Sequence, residues 1–198
     1  MSVRVGLVGL ACSLALALAG PAWGAPDYDG DGFIADDCAP LDAAVHPGAT
    51  DHPDVAAEDL DCDGVDGTAA GAFFVSAAGS DAGIGSKDSP FRTISFAIAQ
   101  AKAAVPKRDV YVASGTYTEH VVLAGGVSVY GGYGTGGSRP FSAPTTIQAP
   151  AGQPEAVLAD GATGVELQLL TIKGPDAAAG ASTYALRAIG GADRKSVV

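Results

Sequence analysis

Thr93-Ile94-Ser95-Phe96-Ala97-Ile98-Ala99-Gln100-Ala101-Lys102-Ala103-Ala104-Val105-Pro106, followed shortly by Val110-Tyr111-Val112, is where the chain changes its period. Ile94, Ala97, Ile98 and Ala101 recur at i, i+3, i+4 and i+7, the spacing of one apolar helix face. Thr93 is a suitable N-cap, and Pro106 stops the helix. From Val110 on the helical spacing gives way to short apolar runs: Val110-Tyr111-Val112, Val121-Val122-Leu123, Val127-Ser128-Val129-Tyr130, Thr145-Thr146-Ile147, Ala156-Val157-Leu158 and Val165 to Ile172. Turns rich in Gly, Pro and Asp separate them, so they read as strands. Phe73 to Ser76 upstream and Ala185 to Ile189 downstream have the same character. Such strands suit a sandwich, a barrel or a solenoid. No Asn-Gly or Asp-Gly hairpin joins the strong strands apart from Asp160-Gly161, and the last strands recur at uneven multiples of roughly ten residues, which selects the solenoid. An open solenoid end exposes unpaired backbone and apolar side chains. The helix Ile94 to Ala104 is amphipathic in the way needed to cover it.

Working back toward the N-terminus, Asp27-Tyr28-Asp29-Gly30-Asp31-Gly32 and Asp59-Leu60-Asp61-Cys62-Asp63-Gly64 both read D-x-D-x-D-G. Carboxylates on alternate residues followed by Gly open an oxygen-ligand calcium loop, in which the first, third and fifth positions supply side-chain oxygens and Gly allows the sharp turn. Asp27, Asp29 and Asp31 then form one ligand set, and Asp59, Asp61 and Asp63 the other. Phe33 and Val65, after each Gly, offer backbone carbonyls, and Asp36, Asp37 and Asp66 are secondary candidates. Between residues 27 and 67 stand 13 acidic residues and no Lys or Arg. Gathering so many carboxylates needs a cation to offset their repulsion. The alternative is a solvated acidic spacer, which has no reason to repeat the spacing and the Gly twice.

The chain has 198 residues, 47% of them hydrophobic, and a net charge of -11. Outside the acidic stretch, 9 acidic residues face 11 basic ones, so the acidity is local. That distribution argues against a nucleic-acid partner and for a cation site. Arg4, the apolar run Val5 to Ala19 and the small-x-small site Ala22-Trp23-Gly24 read as a signal peptide over 1–24, cleaved near Gly24 or Ala25. The run is too short to span a bilayer comfortably, so no membrane span is expected after its removal. Cys12 falls within it, and Gly9-Leu10-Ala11 does not carry Leu where a lipoprotein site needs it. Cys38 and Cys62 are left. In an exported protein they are expected to form one disulfide tying the two acidic loops together. A transition-metal site from Cys38, His46, His52 and Cys62 is the competing idea, but it lacks a Cys-x-x-Cys or His-x3-His pair. His46, before Pro47-Gly48, is more simply a turn residue.

Asp37-Cys38, the segment Asp42 to Ala49 with its His46-Pro47-Gly48-Ala49, and Asp61-Cys62-Asp63-Gly64 together resemble the Asp- and Cys-rich metal-binding-motif repeats of bacterial surface proteins. More distantly they are similar to thrombospondin type 3 calcium repeats. A second resemblance begins at Gly79-Ser80-Asp81. Ser89-Pro90-Phe91-Arg92-Thr93-Ile94 and Val110 to Tyr117 with Glu119 look like the opening of right-handed parallel β-helices of the pectin-lyase type. That resemblance implies that Pro-Phe-x-Thr-Ile starts a capping helix and that Gly-Thr-Tyr-x-Glu lies on the first coils. The expected fold class is therefore mainly β: a right-handed parallel β-helix with an N-terminal capping helix over 73–192, a linker over 68–72, and a disulfide-linked calcium module over 25–67.

Chemistry elsewhere is thin. Gly132-Tyr133-Gly134-Thr135-Gly136-Gly137 matches G-x-G-x-x-G, but the segment Ser138 to Pro144 forbids the helix a dinucleotide site needs, so it reads as a loop leaving a coil. Asp160, Glu166, Lys173 and Arg187 are the late candidates for lyase chemistry, with Glu166 and Lys173 at opposite ends of one strand. Glu119 beside His120 could be an acid–base couple, although a structural role for Glu119 is the simpler account. No catalytic residue is assigned. Asp193 to Val198 match the translation of a common adapter read, so 193–198 are expected to be a non-native tail and the native protein to be longer. The expected function is calcium-dependent structural, adhesive or carbohydrate-binding work, secreted or at the cell surface, with extracellular polysaccharide or cell-surface components as partners. The alternative is a polysaccharide lyase or glycoside hydrolase whose catalytic coils lie beyond the chain.

Overall fold

The computed structural model describes residues 26–134, 136–140, 144–177 and 180–191. The expected signal peptide over 1–24, with Cys12, and the expected non-native tail over 193–198 lie outside the described residues. The fold is mainly β, with ten strands and one α-helix among the described residues. After β1 (Ala72–Val75) and α1 (Ile94–Ala103) come β2 (Asp109–Ala113), β3 (Gly115–Thr118), β4 (Val121–Val122), β5 (Val129–Tyr133), β6 (Thr145–Gln148), β7 (Glu155–Asp160), β8 (Leu167–Gln168), β9 (Leu170–Lys173) and β10 (Tyr184–Ile189). They form three sheets in the orders β1-β2-β5-β8, β3-β6-β9 and β4-β7-β10. Every pairing is parallel. From β2 onward the chain visits the three sheets in one fixed rotation, three times over. Each strand therefore meets its sheet neighbour only after passing through the other two sheets, and a connection of that length is what parallel pairing requires.

Register makes each circuit repeat the one before. Tyr117, Ile147 and Ile172 stand in one row, and Val121, Val157 and Leu186 in another. Such rows, with Val110, Val129 and Leu167 of the first sheet, fill a single interior cluster. Helix α1 closes one end of that interior with Ile94, Ala97, Ile98 and Ala101, the four residues its spacing marks as the buried face. Its N-terminal donors are fully answered. The Thr93 side chain accepts from Phe96 N–H, while Ile94 and Ser95 N–H donate to the two carboxylate oxygens of Glu119, both at 2.9 Å. Glu119 is thus a helix cap, as a structural reading of it expects, and a cap of this kind contributes about 1 kcal/mol. Asp81 braces the same turn by accepting from the N–H groups of Arg92 and Thr93 and from the Thr93 hydroxyl. Burial pushes its carboxyl up, but these bonds and the Arg92 charge outweigh that and leave its pKa below the ordinary value.

Three expectations change. Val165 to Ile172 is not one strand. The chain turns at Leu169, with φ +53°, so β8 and β9 belong to different sheets, and Glu166 and Lys173 do not share a strand. The apolar run hides this corner because Leu169 is itself apolar and half-buried, set against Gly132 of the neighbouring circuit. Gly131, Gly132 and Tyr133 are not a loop leaving the sheet but the end of β5, where an extra residue bulges against β2 between the pairs Tyr111–Tyr130 and Ala113–Tyr133. Gly132 has φ +83°, and a Cβ on Gly131 would collide with the Leu169 carbonyl, so two glycines are what the bulge requires. The third change concerns residues 68–72. In place of a linker they form a 3-10 turn over Ala69–Gly71 and the buried first residue of β1, Ala72.

The first sheet is buried on both faces. Phe74, Tyr111 and Tyr130 stand in one row across β1, β2 and β5 on its outer side and, with Tyr133, Ala72 and Val65, form a second cluster. Tyr111 and Tyr133 stack at 4.7 Å, and Phe74 meets both edge-on. Pairs in these geometries add about 1 kcal/mol each beyond the area they bury. What covers this strip is the acidic segment.

Candidate metal centre

The two D-x-D-x-D-G runs fold into the same loop. In the first, Asp27 accepts from the N–H of Gly30 at 2.7 Å and of Gly32 at 3.0 Å, Asp29 accepts from Asp31, and Asp31 accepts from Phe33. In the second, Asp59 accepts from Asp63 at 3.1 Å and Gly64 at 2.8 Å, and Asp61 accepts from Asp63. Gly32 and Gly64 both have φ near +90°, at +93° and +83°, as the sharp turn demands. Alternate spacing and the closing Gly thus bend each backbone until its carboxylates converge. The Cys38–Cys62 disulfide ties the loops, with an S–S distance of 2.12 Å. Those sulfurs are committed to each other, so the Cys38, His46, His52 and Cys62 metal set does not assemble. His46 instead stacks on Phe33 at 4.8 Å.

Among the described residues, two groups of side chains bring ligand atoms within 4.8 Å of one another: Asp27, Asp29 and Asp31, and Asp51, Asp59 and Asp61. The first is the expected set. The second takes in Asp51 where the spacing suggests Asp63. Asp63 turns toward the joint with β1, accepting from Ala69 N–H at 2.7 Å, although its other oxygen is buried without a hydrogen-bond partner. Asp36, Asp37 and Asp66 stand outside both groups: Asp36 is exposed, Asp37 accepts from Ala39 N–H, and Asp66 is paired with Arg139 at 2.9 Å. Val65, named for its carbonyl, has its side chain buried in the second cluster. Asp51 was legible only as one acidic residue among many, because no spacing rule links it to Asp59.

Electrostatics separate these groups from ordinary surface acids. Asp51 is 5% exposed and Asp61 7%. Burial is the main cause that pushes the Asp51 carboxyl up to about 6. The N–H groups of Gly67 and Leu60 pull the other way, and the charges of Asp61 and Asp66 add to the rise. Asp63 and Asp29 are raised as well, again first by burial and then by neighbouring carboxylates. One oxygen each of Asp29, Asp31 and Asp51 is buried with no hydrogen-bond partner. A buried anionic oxygen left unpaired is costly unless a cation meets it. Each group offers carboxylate oxygens alone, with no sulfur or imidazole, which fits a hard divalent cation and not a soft one.

Four of the residues weighed for catalysis, Glu119, Glu166, His120 and Arg187, have structural partners. Glu119 caps α1, and Glu166 accepts from the Tyr130 hydroxyl at 3.2 Å. His120 Nε2 lies 3.3 Å from buried Glu155, which also faces Arg187 at 3.7 Å.

A family model described as "Protein of unknown function (DUF1565)" matches residues 77–181, a domain associated with right-handed β-helix proteins. The match begins after the acidic segment. No curated protein and no solved structure matches the chain. No helix of the described residues is long and apolar enough to cross a membrane.

Proposed function

Since the chain belongs to the family described as "Protein of unknown function (DUF1565)", a membership that names no activity, we propose that it is an exported calcium-binding β-helix protein. Its work is structural, adhesive or carbohydrate-binding, secreted or at the cell surface. The observation that carries the calcium reading is buried Asp51, which brings a carboxylate oxygen within 4.8 Å of those of Asp59 and Asp61 and whose Oδ1 is buried with no hydrogen-bond partner. Asp27, Asp29 and Asp31 hold one ion, and Asp51, Asp59 and Asp61 the other. Bound calcium supplies positive charge where the chain gathers negative charge. The protein's own part is to fix the carboxylates through the loop N–H groups and to keep the inner group out of water.

The right-handed parallel β-helix is supported by the fixed rotation through three parallel sheets, because strand-to-strand crossovers between parallel neighbours are right-handed almost without exception. Three circuits with a capping helix at one end suit a rigid stalk or binding surface better than a cleft enzyme. Calorimetric titration of calcium into the oxidised protein, beside thermal unfolding with and without chelator, tests the reading. Binding between micromolar and millimolar, with a higher Tm in calcium that Asp61→Asn abolishes, is the expected result. A protein that neither binds calcium nor melts differently in chelator refutes it.

A further inference from the structure

Asp51 belongs to the inner acidic group and is also tied to the backbone. Its Oδ1 is buried with no hydrogen-bond partner, while its Oδ2 accepts from Leu60 N–H at 3.2 Å and from Gly67 N–H at 2.9 Å. One residue before Gly67, Asp66 reaches the body of the protein three ways. Its main-chain oxygen accepts from the Tyr133 hydroxyl at 2.6 Å, its Oδ2 pairs with Arg139, and its Oδ1 accepts from Asp54 N–H. Arg139 in turn donates to the carbonyls of Gly131 and Asp54, both at 2.9 Å, and its guanidinium lies over the rings of Tyr133 and Tyr130. Gln168 adds a bond to the Pro53 carbonyl. The segments 51–54 and 66–67 therefore hold the inner carboxylates at one end and the β1-β2-β5-β8 sheet at the other.

On this basis we propose that cation occupancy at Asp51 and docking of the acidic module on that sheet are one coupled equilibrium, transmitted through Gly67, Asp66 and Arg139. Loss of the cation then uncovers the aromatic strip of Phe74, Tyr111, Tyr130 and Tyr133. Arg139 is a positioning residue, since it touches none of the ligand carboxylates. The coupling follows from charge. With no cation, the carboxylates of Asp51, Asp59 and Asp61 repel one another inside a segment that carries no Lys or Arg. The segment relieves that repulsion by opening, which pulls on the Gly67 and Asp66 bonds. Linkage makes the effect reciprocal: whatever loosens the docking must weaken the cation site. The proposal rests on the calcium reading above.

The test is calcium titration of the oxidised protein and of the variants Arg139→Met, Tyr133→Phe and Asp27→Asn, with nitration of Tyr111, Tyr130 and Tyr133 mapped by mass spectrometry and exposed Tyr28 as the internal reference. Arg139→Met is expected to weaken the inner site about tenfold, within the usual range of coupling between sites. Tyr133→Phe, which keeps the ring and loses one bond, is expected to weaken it less, and Asp27→Asn to leave it unchanged. Chelator is expected to expose the three tyrosines and calcium to protect them. If Arg139→Met does not fold, Tyr133→Phe decides. Wild-type inner-site affinity in both variants, or equal nitration with and without calcium, overturns the coupling while leaving the calcium reading intact. No calcium binding by the unaltered protein overturns both.

Discussion

Loop 27–32 and loop 59–64 share a sequence pattern and a hydrogen-bond pattern, and they differ in what surrounds them. Asp27 is exposed and its loop lies at the edge of the molecule, tied in by the disulfide beyond it and by the Phe33–His46 stack. The second loop runs directly into Val65 and Asp66, which pack against the first sheet. There it loses Asp63 to the joint with β1 and gains buried Asp51. An exposed group of carboxylates is partly neutralised by water and salt, whereas a buried one is far costlier to leave unpaired. On the proposed calcium reading, the same local code is therefore expected to bind more weakly at the outer group and more tightly at the inner one, with the neighbourhood setting the rank.

The change that breaks the comparison most completely is Cys38→Ser with Cys62→Ser. Closing a loop of this size stabilises a domain by about 3 kcal/mol, so urea unfolding in calcium should show a loss near that value and a common fall in both affinities. Next comes Asp51→Asn against Asp27→Asn. The first is expected to cost the inner site at least about tenfold in affinity, since it removes an anionic ligand at a buried position, and the second to touch the outer site alone. Calorimetry that finds equal effects would erase the distinction between the loops.

A pH series sharpens it. Asp51 has a folded-state pKa near 6, above its ordinary 3.8, so between these values the folded protein holds a proton that the unfolded chain has released. Its contribution to stability is therefore complete below about 3.8 and is lost as pH rises through about 6. In chelator, Tm should fall over that window. In calcium, which needs the ionised carboxylate, the slope should reverse. Glu119→Ala gives the smallest effect, about 1 kcal/mol in thermal unfolding through loss of the α1 cap, with calcium affinity unchanged because Glu119 serves the body and not the module.

Most of what could be read in advance is local. The α1 face, the Thr93 cap, the strand positions and both acidic loops follow from spacings within a few residues, where backbone geometry leaves few choices. The Cys38–Cys62 bond was readable because only one pair remained once Cys12 was assigned to the apolar N-terminal run. The misread places are those where a residue answers to a distant one. Leu169 turns a corner inside an apolar run because Gly131 and Gly132 of the circuit above leave room for it.

Pattern and composition were enough to specify a mainly β chain with one capping helix, an acidic segment with two matching carboxylate loops and its disulfide, since each rests on contacts between near neighbours or on charge counted along the chain. The membership of the inner site, the pairing of Asp66 with Arg139, and the seating of the acidic segment on an aromatic strip came from packing. Each joins residues far apart in sequence, and no periodicity records which distant groups will share one dry space once the chain has folded.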